Sequence, residues 1–108
     1  MIPRWADYII TGVQYDRSGR DWENPRIAAV EVRMDLGGRF GSPEIWRRGQ
    51  ILNAIILDHE TFVTASSGSD GAWVRGAHVR VIKALGVEYI RVDRAHEGKD
   101  DLGHLPEF

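Results

Sequence analysis

The sequence contains no cysteine, which excludes a disulfide framework and any zinc site with thiolate ligands. No apolar run approaches the roughly eighteen residues that a membrane-spanning helix requires. The N-terminus carries no signal-peptide pattern. We therefore expect a cytoplasmic protein that makes no membrane contact and forms one domain over residues 1–108.

Lysine is scarce as well, because Lys83 and Lys99 are the only lysines among the 14 basic residues. The 16 acidic residues bring the formal net charge to −2, which argues against a domain dedicated to duplex nucleic acid. Arginine makes planar, bidentate contacts and is common in ion-pair networks and protein interfaces. The arginine bias and the four tryptophans together favour a protein-contact surface.

The motifs of common enzyme chemistry are absent from the sequence. No Gly-x-Ser-x-Gly elbow, P-loop or dinucleotide fingerprint occurs. The adjacent carboxylates Asp100 and Asp101 fall in a segment that we expect at the surface. Four histidines lack the close spacing of metal ligands: His59, His78, His96 and His104. We predict that the protein is not an enzyme and binds no metal or cofactor.

The clearest structural signal is a strand-turn-strand pattern between Gly76 and Asp93. Pairing Lys83 with Glu88 places four apolar side chains on one face, namely Val79, Val81, Ile90 and Val92. A shift of one residue would mix apolar and charged side chains on both faces, so this register is favoured. The turn is either a two-residue turn over Leu85-Gly86 or a four-residue loop with Gly86 in the left-handed region.

This register has an electrostatic consequence, because it sets Arg80 directly opposite Arg91 on the outer face. Like charges that face each other across strands are destabilising. A nearby carboxylate such as Asp93 or Glu31 would relieve the repulsion, and this interpretation is favoured over a pair that awaits an anionic partner. The same register pairs His78 with Asp93. The predicted partner surface comprises Arg80, Arg91, His78, Tyr89, Trp73 and Arg75.

Alternating patterns predict further strands over residues 8–15, 26–35 and 60–65. The first would place Ile9, Thr11, Val13 and Tyr15 on one face and Tyr8 and Ile10 on the other, which is typical of a central strand. The second would bury Ala28, Val30, Val32 and Met34. These elements predict an α+β fold in the order β-β-α-β-β-β: a curled antiparallel sheet of about five strands, partly barrel-like, with one helix packed across it.

The helix is expected to end near Asp58, and its start has two alternatives. It begins either with Ser42-Pro43 as cap and first turn, or near Arg47 after an extended segment. Its apolar stripe would comprise Ile45, Leu52, Ile55 and Ile56, with Ile51 at the margin. Gly49 would permit close packing on the sheet. At the C-terminus, Leu102, Leu105 and Phe108 predict a tail that docks on the protein rather than a disordered one.

Three stretches carry a family resemblance: DYIITGVQYD, WRRGQILNAIILDHETFVTA, and GVEYIRVD followed by DDLGHLPEF. They resemble a family of small bacterial and phage-borne proteins catalogued only as a domain of unknown function. The chain departs from that pattern with Arg47 where Ser or Thr often opens the helix, and with Asp101 where Asn is usual. The resemblance implies a compact domain with no assigned activity, so it transfers no catalytic residue.

Two functional hypotheses follow. The first is a non-enzymatic protein-interaction module, an inhibitor or accessory factor carried by a phage or mobile element, whose partner is an unidentified protein. The second is a small barrel-like nucleic-acid-binding domain that uses Arg80, Arg91 and Arg75 for phosphates and Tyr89 or Trp73 for stacking. A small-ligand or catalytic pocket under the helix is a weaker alternative. Exposed Trp22 or Trp73 side chains also permit a homodimer.

Overall fold

The computed structural model describes residues 4–18, 25–92 and 99–108. A five-stranded sheet has the order β3-β2-β1-β4-β5, and a separate two-stranded sheet pairs β6 with β7. The elements in chain order are β1 (Tyr8–Asp16), β2 (Arg26–Met34), β3 (Glu44–Arg47), α1 (Arg48–Ile56), β4 (Phe62–Ser67), β5 (Trp73–His78), β6 (Arg80–Ala84) and β7 (Val87–Arg91). The predicted combination of a dominant sheet with one helix is confirmed, but the strands of the described residues form no closed barrel.

The large sheet is mixed, whereas the sequence predicted an antiparallel one. β4 runs parallel to β1, with Tyr8 opposite Phe62 and Ile10 opposite Thr64. The cause is β3, which the later of the two predicted helix starts allowed as an extended segment over residues 43–46 but not as a strand of the sheet. The helix between β3 and β4 carries the chain back to the end of the sheet at which β3 begins, so β3 and β4 run in the same direction. Residues 44–47 form a strand on β2, with Val30 opposite Trp46.

The helix begins at Arg48, so the later of the two predicted starts is correct. Arg47 is its N-cap, and the Gln50 side chain accepts a hydrogen bond from the Arg47 N–H at 2.9 Å. This start shifts the buried stripe, which contains Ile51 and Ala54. The predicted stripe was wrong at its ends, because Ile45 lies in β3 and is 58% exposed and Ile56 is 40% exposed.

Two irregularities in the β1–β2 ladder change which side chains share a face. The register shifts between Ile10 and Gly12, so Ile10 and Val13 both enter the main core while Ile9 packs on the opposite face. The prediction that grouped Ile9 with Val13 was therefore wrong. A second shift between Gln14 and Tyr15 brings Ile27 rather than Ala28 into the main core. The central position of β1 is confirmed.

The predicted hairpin register is confirmed over β6 and β7, where Lys83 lies opposite Glu88 and Arg80 opposite Arg91. Ala84 pairs with Val87, which leaves a two-residue turn. Leu85 and Gly86 have φ angles of 52° and 80°, as a type I′ turn requires. Leucine is strained in this region.

The C-terminal tail, residues 100–108, docks as predicted. Leu102 is buried in the main core and Leu105 packs against it. The Val13 N–H donates to the Pro106 carbonyl at 2.9 Å, and the Phe108 N–H donates to the Val13 carbonyl at 3.1 Å. β4 pairs with β1 only as far as Ile10, so the tail occupies the part of the β1 edge that β4 leaves.

Asp100 was expected at the surface, but its side chain is fully buried. Its Oδ2 accepts hydrogen bonds from the Ile27 N–H at 2.7 Å and from the Arg48 guanidinium, and its Oδ1 accepts one from the Ile90 N–H at 2.9 Å. The same guanidinium donates to the Glu88 carbonyl at 2.6 Å. One carboxylate therefore connects β2, α1 and β7.

Asp7 connects the starts of β1 and β4. The Thr61 N–H and hydroxyl both donate to its carboxylate, at 2.9 and 3.1 Å, and the Asp7 N–H donates back to the hydroxyl at 3.0 Å. The hydrogen bond from the Thr61 backbone lowers the pKa of the Asp7 carboxyl, with smaller contributions from the Thr61 hydroxyl and Arg4. Hydrogen bonds to the charged form stabilise that form.

Replacing Asp100 with Asn should lower the free energy of unfolding by about 2–4 kcal/mol. The amide removes the charge opposite Arg48 and turns an N–H toward a backbone donor. Urea denaturation measures the difference. Asp70→Asn is the matched control, since Asp70 is exposed in a turn and accepts only from the Ala72 N–H, and it should change stability by less than about 0.5 kcal/mol. Equal effects of the two substitutions would contradict the central role of Asp100.

The Asp7 contacts predict an acid-sensitive contribution to stability. Because the folded-state pKa is lowered, the contribution is present above the unfolded pKa of about 3.9 and is lost as pH falls through the lower folded value. The stability advantage of wild type over Asp7→Asn should therefore shrink from about pH 5 to about pH 2. Urea denaturation at each pH measures this, and a constant difference would exclude the mechanism.

Candidate functional site

The structure divides the six predicted surface residues between two sheets. Trp73, Arg75 and His78 lie on β5, at one edge of the large sheet. The other three lie on the small sheet: Arg80 on β6, and Tyr89 and Arg91 on β7. The predicted residues therefore do not form one continuous ladder.

Arg91 is not a surface residue, because it is only 2% exposed. Its guanidinium donates to the Lys99 carbonyl at 3.0 Å and lies 3.7 Å from the Asp101 carboxylate. A carboxylate does approach the arginine pair, but it belongs to Asp101. Glu31 instead pairs with Arg33 at 2.9 Å, and Asp93 lies outside the described residues. This geometry favours an internal ion-pair network over an anion-binding surface.

His78 also differs from its predicted place. It lies opposite Val63 of β4 rather than in the β6–β7 hairpin. The chain changes sheets at the next residue, where the Val79 N–H donates to the Phe62 carbonyl at 2.9 Å. Tyr89 is half-buried, and the Arg26 guanidinium lies 6.0 Å from its ring centroid. Neither residue lies opposite Arg80 or Arg91 in a strand ladder.

β5 is the edge strand of the five-stranded sheet, and no described strand pairs with its outer side. The Gly68 N–H donates to the Ala72 carbonyl at 2.7 Å, which makes this a hydrogen-bonded pair. Pair types alternate along an antiparallel ladder, so Ser66–Val74 is hydrogen-bonded, whereas the pairs that contain Trp73 and Arg75 are not. The backbone N–H and C=O groups of Trp73 and Arg75 therefore point away from β4.

A bulge ends this pattern after Arg75. The register shifts between Val63 and Ala65, so that Gly76 and Ala77 together oppose Thr64. The Thr64 hydroxyl accepts a hydrogen bond from the Ala77 N–H at 3.0 Å. A Cβ at position 76 would overlap that hydroxyl and lie 3.0 Å from the Thr64 carbonyl oxygen, so this position requires glycine. We define the β5 edge as residues 73–75.

An aromatic cluster supports the first residue of the β5 edge. The Trp73 ring lies 5.5 Å from Phe40, which in turn lies 5.5 Å from Trp5. The Arg33 guanidinium lies 5.2 Å from the Trp73 ring centroid. Trp73 nevertheless remains 37% exposed and Val74 54% exposed. No local sequence pattern predicts this cluster, because its members come from four separate segments that only the folded chain brings together.

The opposite edge of the sheet is less suited to binding. β3 has four residues, begins with Glu44 directly after Pro43, and ends with Arg47. Proline and charged side chains are common protections of sheet edges. The β5 edge has a single charged side chain, Arg75, among its three residues. It is therefore the better candidate for contact with another chain.

A cavity of about 260 Å³ lies between the β4–β5 pair and the C-terminal tail. Its polar lining residues are Thr64, Ser66 and His104, and its lining contains no carboxylate. Pockets that hold drug-sized ligands usually have volumes of about 300–1,000 Å³. The cavity offers no carboxylate pair for acid–base chemistry. It does not lie under the helix, where the weaker alternative placed a pocket.

Replacing two glycines with alanine should change the stability of the protein in opposite directions. Gly76→Ala should lower the free energy of unfolding by about 1–3 kcal/mol, because the methyl group collides with Thr64. Gly49, expected to allow close packing, is exposed, and a Cβ there meets nothing within 4 Å. Gly49→Ala should therefore stabilise the helix by up to about 1 kcal/mol. Urea denaturation tests both, and a neutral Gly76→Ala would contradict the bulge.

Among the described residues, no three His, Asp or Glu side chains are grouped closely enough to hold a metal ion. No helix in residues 4–18, 25–92 and 99–108 has the length and apolar character to span a membrane. Comparisons with protein-family models, with curated proteins and with solved structures gave no match. The family resemblance therefore stays a prediction.

Proposed function

We propose that the protein is an interaction module that binds an extended segment of a partner protein by adding it as a strand to the β5 edge. The observation that carries this proposal is the pair of outward-pointing backbone groups at Trp73 and Arg75 on an uncovered edge. Main-chain hydrogen bonds supply affinity in this mode of recognition, and side-chain contacts on alternate residues supply specificity.

The side chains of the β5 edge define what such a segment should contain. Trp73 and Arg75 lie on one face of the sheet, opposite Ser67 and Ala65, and Val74 lies on the other. An added strand would suit Arg75 with an acidic or aromatic side chain beside it, and Trp73 with an apolar, aromatic or cationic one. These two would be separated by one residue that faces Val74. An inhibitor or accessory factor of a phage or mobile element could act through such a surface.

Nucleic-acid binding is the second hypothesis, and the observations favour it less. Arg91, one of its two principal arginines, is 2% exposed. Arg33, which lies against Trp73, is already paired with Glu31 at 2.9 Å. The formal net charge of −2 also opposes binding to phosphates. Arg75 beside an exposed Trp73 is the feature that such a function would still use, so a nucleic-acid probe belongs in the test.

Strand addition predicts that proline at position 75 abolishes binding without unfolding the protein. The Arg75 N–H points away from β4, and proline is tolerated at such positions in edge strands. Random linear peptides of about ten residues, displayed on phage, provide the probe. The enriched peptides should bind wild type at least about tenfold more tightly than they bind Arg75→Pro, as measured by calorimetry. On binding, the amides of Trp73 and Arg75 should become protected from hydrogen exchange.

Arg75→Ala is the matched control, because it removes the same side chain and keeps the N–H. It should retain more of the binding than Arg75→Pro does, while circular dichroism shows that both variants are folded. Peptides that bind Arg75→Pro as tightly as wild type would place the site elsewhere. Salt-dependent binding of single-stranded oligothymidine, with no enriched peptide, would favour the nucleic-acid hypothesis instead.

A further inference from the structure

The outward-pointing backbone groups of the β5 edge are arranged symmetrically on either side of Val74. Trp73 and Arg75 each present an N–H and a C=O, and Val74 between them directs its own groups toward β4. A second β5 edge, turned antiparallel, presents the same groups at the same spacing. The backbone is therefore complementary to itself when Val74 of one copy lies opposite Val74 of the other. In that register, Trp73 and Arg75 form two hydrogen-bonded pairs, with four backbone hydrogen bonds in total.

The side chains favour the same register. Centring on Val74 places each Trp73 opposite Arg75 of the second copy, where the guanidinium and indole attract each other. It also brings together two Val74 side chains that are each 54% exposed. Centring on Arg75 would instead set two guanidinium groups face to face. Centring on Trp73 would set Arg75 against Gly71, which lies in the turn with φ of 81°.

We infer that the partner of the β5 edge is a second copy of this chain, paired antiparallel about Val74. The inference rests on the proposed function, because it names the occupant of the same edge. The pairing is two-fold symmetric, as most homodimers are. The hairpin turn on one side and the bulge at Gly76 on the other limit the contact to a few residues. Such a small interface predicts a weak dimer, with a Kd in the range of about 10 µM to about 1 mM.

Cysteine cross-linking tests the register directly, since the natural sequence contains no cysteine. Val74→Cys places the two thiols in a non-hydrogen-bonded pair with Cα atoms about 4.5 Å apart, within the disulfide range. Trp73→Cys and Arg75→Cys are the controls, because their like residues lie about 8 Å apart in this register. Mild oxidation should yield a disulfide-linked dimer of Val74→Cys at least about tenfold faster than of either control. Equal rates for the three variants would overturn the register.

Sedimentation of the wild type between about 10 µM and about 1 mM tests association without any substitution. The weight-average mass should rise toward that of a dimer, and Arg75→Pro should stay monomeric while Arg75→Ala retains partial association. A wild type that is monomeric throughout would overturn the self-pairing. If displayed peptides still bind that monomer and lose affinity for Arg75→Pro, strand addition holds and its partner is another protein. If such peptides also fail to bind, the proposed function falls as well.

Discussion

The buried carboxylate of Asp100 is the contact on which the arrangement of the two sheets depends. A charged group without water requires both hydrogen bonds and an opposite charge, and Asp100 obtains them from Ile27, Arg48 and Ile90. These donors belong to β2, α1 and β7, which no strand ladder joins. An isolated two-stranded hairpin is marginally stable at best. The small sheet keeps its place through this carboxylate, through the tail, where Asp101 pairs with Arg91, and through Ile90, which is buried in the main core.

The position of the β5 edge follows from how the large sheet is assembled. β4 pairs with β1 over three residues, from Tyr8 to Ile10, and the C-terminal tail pairs with β1 at Val13. β4 also pairs with β5, which is last in the strand order, so the outer side of β5 is uncovered among the described strands. Loss of the tail would alter both the stability of the protein and the surroundings of its candidate site.

Local sequence patterns predicted the local features of the fold well, but they predicted its long-range contacts poorly. The β6–β7 register was predictable because only one alignment separates apolar from charged side chains. The burial of Arg91 was not predictable, since its partners Lys99 and Asp101 lie outside the hairpin and follow no periodic pattern. β3 was missed because four residues after a proline, joined directly to a helix, carry too little alternation. The bulges in β1 and β2 changed faces that strict alternation had assigned.

The candidate site, too, was predictable only in its local features. Trp73, Arg75 and His78 were predicted as surface residues from their side chains, but what they share is their place on β5, which the strand order makes an edge. An uncovered edge invites aggregation, and the bulge at Gly76 limits this one to three residues. A two-fold symmetric dimer uses the β5 edge of each copy once, so it leaves no β5 edge for a third copy. The ends of the doubled sheet would both be β3, where Pro43, Glu44 and Arg47 oppose further addition. The geometry of the β5 edge therefore favours a discrete complex over an open-ended fibre.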